Sequence, residues 1–246
     1  MSGHSKWATI KHAKGAADAK RGKIFTKLIK EISIAARMGG GNLDSNPRLR
    51  TAILKARSAN MPKDNIDRAI KKGTGELEGM SYSELTYEAY AGGGVALLIE
   101  VLTDNKNRAA ADVRSILTKA GGELATSGAV SRLFKRQGVV TLDGEKYTED
   151  QVMEAALEGG AEDVTLSDGI IEVSTAPEDF EAVVNALNEK NFETMNAEVS
   201  MVPEVDVSLD KEATAKVLKL IEKLEDNDDV QNVYSNINIP AGFEAE

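Results

Sequence analysis

Lys20, Lys23, Lys27 and Lys30 recur at helical spacing, and the chemistry open to such a row is the neutralisation of phosphate. Each contact of that kind releases counterions from a polyanion and needs no base-specific geometry. Further cations flank the row: Lys6, Lys11, Lys14 and Arg21 on one side, Arg48, Arg50, Lys55 and Arg57 on the other. Residues 1–75 hold 17 Lys or Arg against 5 Asp or Glu, an excess of +12, and the remaining 13 against 35 leave −22. The net charge of −10 therefore averages two opposite tendencies: one end seeks polyanions and the rest repels them. Trp7, the only tryptophan, lies among Lys6, Lys11 and His12, where it can stack on a base or anchor packing. The candidate nucleic-acid contacts are thus Lys6, Trp7, Lys11, Lys14, Lys20, Arg21, Lys23, Lys27, Lys30, Arg48 and Arg50. The competing use of these charges is a solvated helix face, or a basic domain docked on an acidic body.

Other chemistries find less material. His4 and His12 are the only histidines, and one pair is a weak metal site. Without cysteine, and without histidine after residue 12, no Ser-His-Asp or Cys-His arrangement can be built in the acidic body. Gly92-Gly93-Gly94 falls between two strand patterns, so it reads as a hairpin turn. A phosphate loop would lead into a helix and carry GxxxxGK[ST] or GxGxxG, which are missing. Glu222, Glu225, Asp226, Asp228 and Asp229 lack calcium-loop spacing and read as a solvated acidic end. A metal-dependent nuclease and a pure protein-interaction module are the alternatives to a nucleic-acid-binding protein. No catalytic residue, metal or cofactor is expected. The longest apolar run, Val95-Ala96-Leu97-Leu98-Ile99, is far short of the roughly 20 residues a membrane helix needs. No apolar run follows the N-terminal charges as a secretory signal would, and the lack of cysteine suits a reducing compartment.

The elements that position these residues follow from periodicity. Residues 1–20 predict a mobile or partly ordered arm. A helix over 20–37 places Ile24, Phe25, Leu28, Ile29, Ile32, Ala35 and Ala36 on one face, with Lys20, Lys23, Lys27, Lys30 and Arg37 opposite and Arg21 off that side. Glycines 39–41 end it. Asn46-Pro47 caps a second helix running to about residue 59, and Met61-Pro62 starts a third that ends at Gly73. Residues 73–80 read as a linker. Beyond it the period changes: strands over 85–91 and 95–102, a helix over 106–120, a hairpin from 130–134 and 139–142, and a helix over 149–157. Strands over 163–166 and 170–174 follow around a Ser167-Asp168-Gly169 turn, then a helix over 177–189 and a strand over 198–202. The order β, α, β, β, α, β is the split βαβ pattern of ferredoxin-like sandwiches. A strand over 205–209, a helix over 211–224 and a strand over 230–235 cannot form a domain alone. With residues 79–129 they complete a discontinuous one. The expected fold is therefore α+β: a basic helical domain at 1–78, an α/β domain from 79–129 plus 204–246, and an α/β domain at 130–203 inserted into it.

Several motifs in order resemble the YebC family: Gly3-His4-Ser5-Lys6-Trp7, Ala19-Lys20-Arg21-Gly22-Lys23-Ile24-Phe25, Asn46-Pro47-Arg48-Leu49-Arg50, Asn60-Met61-Pro62-Lys63, residues 87–100, Asp104-Asn105-Lys106-Asn107-Arg108 and Val233-Tyr234-Ser235-Asn236. Two departures appear. Ala89-Tyr90-Ala91-Gly92-Gly93-Gly94 stands where the family favours Gly-Tyr-Gly-Pro-Gly-Gly, and Leu124-Ala125-Thr126 where it favours a central glycine. The resemblance implies three domains, the last inserted in the second, in a cytoplasmic bacterial protein with a mitochondrial relative that activates translation. It implies either a DNA-binding transcriptional regulator or a ribosome-associated translation factor that grips ribosomal RNA and relieves stalled synthesis. The acidic body would then face the ribosome or another protein.

Overall fold

A computed structural model describes residues 18–79, 81–240 and 243, with side chains from residue 22 onward. Three helices come first: α1 (Asp18–Gly39), α2 (Pro47–Ser58) and α3 (Lys63–Thr74). Their shared core is Ile32, Ala35, Ala36, Leu49, Ala52, Ile53, Ala56, Met61, Ile66 and Ala69. Asn46 ties α1 to α2. Its Oδ1 accepts from the Leu49 amide at 3.0 Å, and its Nδ2 donates to the carbonyls of Ala35 and Gly40, each at 2.8 Å. One side chain thus caps the start of α2 and reaches back to the end of α1. Close packing of α3 on α1 depends on Gly73, where an added Cβ would lie 2.3 Å from the Ser33 carbonyl oxygen.

The remainder is two sheets, each backed by helices. The first contains β1 (Ser83–Tyr90), β2 (Ala96–Thr103), β3 (Glu123–Leu124) and β9 (Val230–Ser235), in the order β3-β1-β2-β9. Helices α4 (Lys106–Lys119) and α7 (Lys211–Glu225) bury Val113, Leu117, Val217, Leu218, Ile221 and Leu224 against its inner face. The run of apolar residues in β2 arises because the strand is central and nearly every position in it is buried. Between β1 and β2 the three glycines make the hairpin turn, with φ +74° at Gly93 and +76° at Gly94.

The second sheet contains β4 (Phe134–Asp143), β5 (Asp163–Ser167), β6 (Ile170–Thr175) and β7 (Thr194–Pro203), in the order β5-β6-β4-β7, with every pairing antiparallel. That is the split βαβ arrangement. Its helices are α5 (Glu149–Glu158) and α6 (Phe180–Glu189). All four strands fall between the two halves of the first sheet in sequence. The architecture is α+β, with a helical unit followed by sheet units.

Two local expectations are corrected. Residues 130–142 form no hairpin: a 3-10 turn at Ser131–Leu133 leads into one continuous ten-residue strand. The polar stretch Lys135-Arg136-Gln137-Gly138 looks like a turn, yet Gly138 sits mid-strand because Thr175 and Phe180 pack where its Cβ would be, 2.6 and 2.8 Å away. The strand expected over 205–209 shrinks to β8 (Val207–Ser208). It pairs with β10 (Ile237–Asn238) and stays outside the main sheet.

The two sheets are joined by an apolar cluster: Ala96, Leu98 and Tyr234 from the first, Phe134 from the second, and Val130 between them. Glu88 locks the crossover. Its carboxylate accepts from the backbone amides of Gly128 (2.7 Å), Val130 (2.5 Å) and Ser131 (2.9 Å). Burial pushes that carboxyl up, but the three amides outweigh it and hold the group below its ordinary value.

Candidate nucleic-acid interface

Lys23, Lys27 and Lys30 of α1 meet the acidic body, Lys30 buried and Lys23 still half-exposed. Lys23 Nζ donates to the Asp226 carbonyl at 3.0 Å and lies 3.6 Å from its carboxylate. Lys27 Nζ donates to the Glu225 carbonyl. Both carbonyls belong to the C-terminal end of α7, where the last peptide oxygens lack helical partners and carry the negative end of the helix dipole. The row therefore caps a helix end contributed by another part of the chain.

Lys30 goes further. It is 7% exposed, and its three ammonium protons are matched by three acceptors: the Leu102 carbonyl (3.3 Å), the Asp228 carbonyl (2.7 Å) and Asp229 Oδ1 (2.8 Å). The Tyr82 ring lies 5.7 Å from Nζ. Asp229 Oδ2 accepts from Arg108 Nε (3.2 Å) and Nη2 (2.8 Å), and Arg108 also reaches Asp104 Oδ1 at 2.7 Å. Burial pushes the Asp229 carboxyl up, but the hydrogen bonds and charges of Lys30 and Arg108 pull harder and hold it below its ordinary value. The chain Lys30–Asp229–Arg108–Asp104 thus fastens α1 to the β2–α4 corner and the loop before β9.

The arginines on α2 are also engaged. Arg48 lies between Glu31 on its own unit, at 2.7 and 3.1 Å, and Glu84 on β1, at 2.7 and 3.2 Å. Burial opposes its charge, and the two carboxylates more than offset that, raising its pKa. Arg50 forms a two-pronged pair with Glu181 on α6 at 2.7 and 2.9 Å, and Lys55 meets Glu198 on β7 at 3.1 Å. These two bridges reach from the helical unit to the second sheet and are partly exposed.

Every described member of the predicted contact set, Lys23, Lys27, Lys30, Arg48 and Arg50, is therefore held within the fold. Lys30 is the clearest correction: it lies opposite the apolar face of α1 yet is buried, because a second surface covers that side. Ile24, expected in the core, is 40% exposed. The acidic end is corrected too. Asp229 is 4% exposed, and the carbonyls of Glu225, Asp226 and Asp228 seat lysines. Lys6, Trp7, Lys11 and Lys14, with both histidines and the expected arm, lie outside the described residues, as do the side chains of Lys20 and Arg21. The sequence assigned no role to Arg108, Glu84, Glu88 or Glu181. The one local signal was the i, i+4 spacing of Asp104 and Arg108.

Among the described residues no group of three or more His, Cys, Asp or Glu is placed to hold a metal ion, and no helix is long and apolar enough to cross a membrane. Arg57, Lys63, Arg68, Lys71 and Lys72 make no ion pair with any described residue.

Residues 5–76 match the TACO1/YebC protein N-terminal domain, and residues 82–237 match the TACO1/YebC second and third domain. The chain belongs to the TACO1/YebC family. Relatives include a protein of Treponema denticola, 66% identical with 99% of each chain covered, and one of Treponema pallidum, 62% identical over 98% of each. A relative in Borreliella afzelii is 60% identical, again over 98% of each chain. All three carry the name "probable transcriptional regulatory protein". Among solved structures, a conserved hypothetical protein of Aquifex aeolicus superposes with a TM-score of 0.81 at 46% identity, covering 91% of this chain and 92% of that one. This TACO1/YebC member is of the regulator family its relatives' names describe, and those names point to no enzyme.

Proposed function

We propose that this chain is a non-enzymatic, cytoplasmic regulator of gene expression that binds nucleic acid through residues 1–78, with DNA and transcription as its first assignment. The observation that carries the reading is charge segregation: +12 over the first 75 residues against −22 over the rest. The relatives' names support the transcriptional form of it. In the same reading the chain divides at 1–78, 79–129 with 204–246, and 130–203. Lys6, Trp7, Lys11, Lys14, Lys20 and Arg21 supply contacts from the N-terminal side.

A second reading, docking on ribosomal RNA, is favoured by one specific observation. Arginine is the side chain that reads guanine edges through a two-pronged contact, and Arg48 and Arg50 already spend that fork on carboxylates. Of the expected contacts that leaves mainly lysines, point charges that suit phosphate more than bases, and the acidic body would then face ribosomal or other protein. Competition at fixed salt between promoter DNA, random DNA and ribosomes decides. A promoter preferred over random DNA by roughly a thousandfold or more supports transcriptional control. Equal binding to both DNAs, with displacement by ribosomes, supports the translational reading. Binding to none of the three overturns the function altogether.

A further inference from the structure

We infer that the nucleic-acid contact surface of the described fold is the outer face of α3, and that its occupant is the phosphodiester backbone of duplex DNA. This rests on the reading that the helical unit binds nucleic acid. It differs from the expected site because, in the folded molecule, Lys23, Lys27 and Lys30 of α1 already donate to the acidic body. At 100° per residue, Ile66, Ala69 and Gly73 of α3 point to one side, where Ile66 and Ala69 are buried. Arg68, Lys71 and Lys72 fan across the opposite side, with Lys63 at the first turn, all exposed. Asp64 and Asp67 share the face, so four cations stand against two carboxylates.

From Lys63 to Lys72 the helix rises about 14 Å, roughly the axial rise of four base-pair steps of a duplex. At its C-terminal end the strip meets a cleft of about 500 Å³ lined by Arg37, Lys72, Gly40, Gly75, Gly79 and Ser81. At Gly40 and Gly75, with φ of +80° and +84°, nothing lies within 4 Å of where a Cβ would stand. Arg37 donates to Ser81 Oγ at its rim. A strand of phosphates can therefore approach the backbone there without meeting side chains. The exposed face of α3 carries no aromatic residue, which speaks for backbone contact and against the stacking used by single-strand binders.

The test uses the full chain and a fluorescently labelled random-sequence DNA duplex of about 20 base pairs, titrated between 50 and 200 mM salt. Arg68→Ala with Lys71→Ala and Lys72→Ala should lower affinity on the order of a hundredfold at 0.1 M salt and flatten the log–log salt slope by about 3. Lys23→Ala with Lys27→Ala should leave affinity within about threefold and the slope unchanged. Melting temperatures of both variants check that the fold persists. Wild type that binds while the α3 variant binds equally well overturns the inference and leaves the function standing. So does a larger loss from the α1 pair. Wild type that fails to bind the DNA duplex overturns the DNA reading on which this inference rests. A duplex RNA of the same length held more than about tenfold tighter through the same residues overturns the choice of DNA.

Discussion

Lys30 shows how a charge expected to meet solvent becomes a structural residue. A buried ammonium is tolerable only when each of its protons is matched, and here two carbonyls and one carboxylate do so. Asp229→Ala should destabilise the protein by about 3–5 kcal/mol, because it strands Lys30 without its counter-charge. The shift in urea midpoint measures it, and an effect below about 1 kcal/mol would show that the pair is not buried in solution. The pH dependence has a definite sign. The Asp229 carboxyl is held below its ordinary value in the fold, so its contribution is fully present above the unfolded-state value of about 3.9 and disappears as pH falls through the lower folded-state value. Stability of the wild type should therefore lose this contribution only below about pH 4. The Asp229→Ala chain should show a correspondingly shallower acid limb.

Among the elements, the three helices depend on two backbone-scale fits. Asn46→Ala removes the cap of α2 and leaves the Gly40 carbonyl without that donor, and should cost about 1–2 kcal/mol in thermal or chemical unfolding. Gly73→Ala is the sharper case. By helix propensity alone it would stabilise α3 by about 1 kcal/mol. Instead its Cβ would meet the Ser33 carbonyl oxygen at 2.3 Å and the Ala36 Cβ at 2.8 Å, and a carbonyl in the middle of α1 cannot swing aside. A net loss of about 1–3 kcal/mol is expected from the overpacking, with helicity retained by circular dichroism. A gain in stability would mean that α1 and α3 pack less closely than described.

At the scale of the whole molecule, three joints of different chemistry hold the units together. The two sheets share an apolar cluster and the Glu88 clamp; the helical unit meets the first sheet through the buried Lys30 network; it meets the second through the half-exposed Arg50–Glu181 pair and the more buried Lys55–Glu198 pair. Exposed pairs contribute under about 1 kcal/mol each and weaken with salt. Glu181→Ala should thus leave the melting temperature nearly unchanged while the solution scattering profile widens, and salt should widen the wild type in the same way. Glu88→Gln should act on the other joint. Both carboxylate oxygens accept here, and a glutamine keeps only one of them, so its NH2 must face a backbone N–H that then lacks an acceptor, and the second sheet should lose fixed orientation relative to the first. A scattering profile unchanged in both variants would mean that other contacts set the arrangement.

Local physics was enough to place the helices and most of the strands, β4 excepted. The apolar row of α1, Asn46-Pro47 at the start of α2, the glycine hairpin at 92–94 and the Asp168-Gly169 turn each act within a few residues. Charge segregation was legible for the same reason, since it is a count along the chain. What tertiary structure alone decided is where that charge goes. Lys23 and Lys27 meet carbonyls about 200 residues away, and Lys30 meets a carboxylate equally distant, pairings that no period of 2 or 3.6 can reveal. The continuous β4 escaped for a related reason: Gly138 reads as a turn until Phe180, 42 residues on, is known to fill the space its side chain would need. Periodicity reports which side of an element is apolar. It does not report that a second surface will cover the polar side, because that surface is assembled from the rest of the chain.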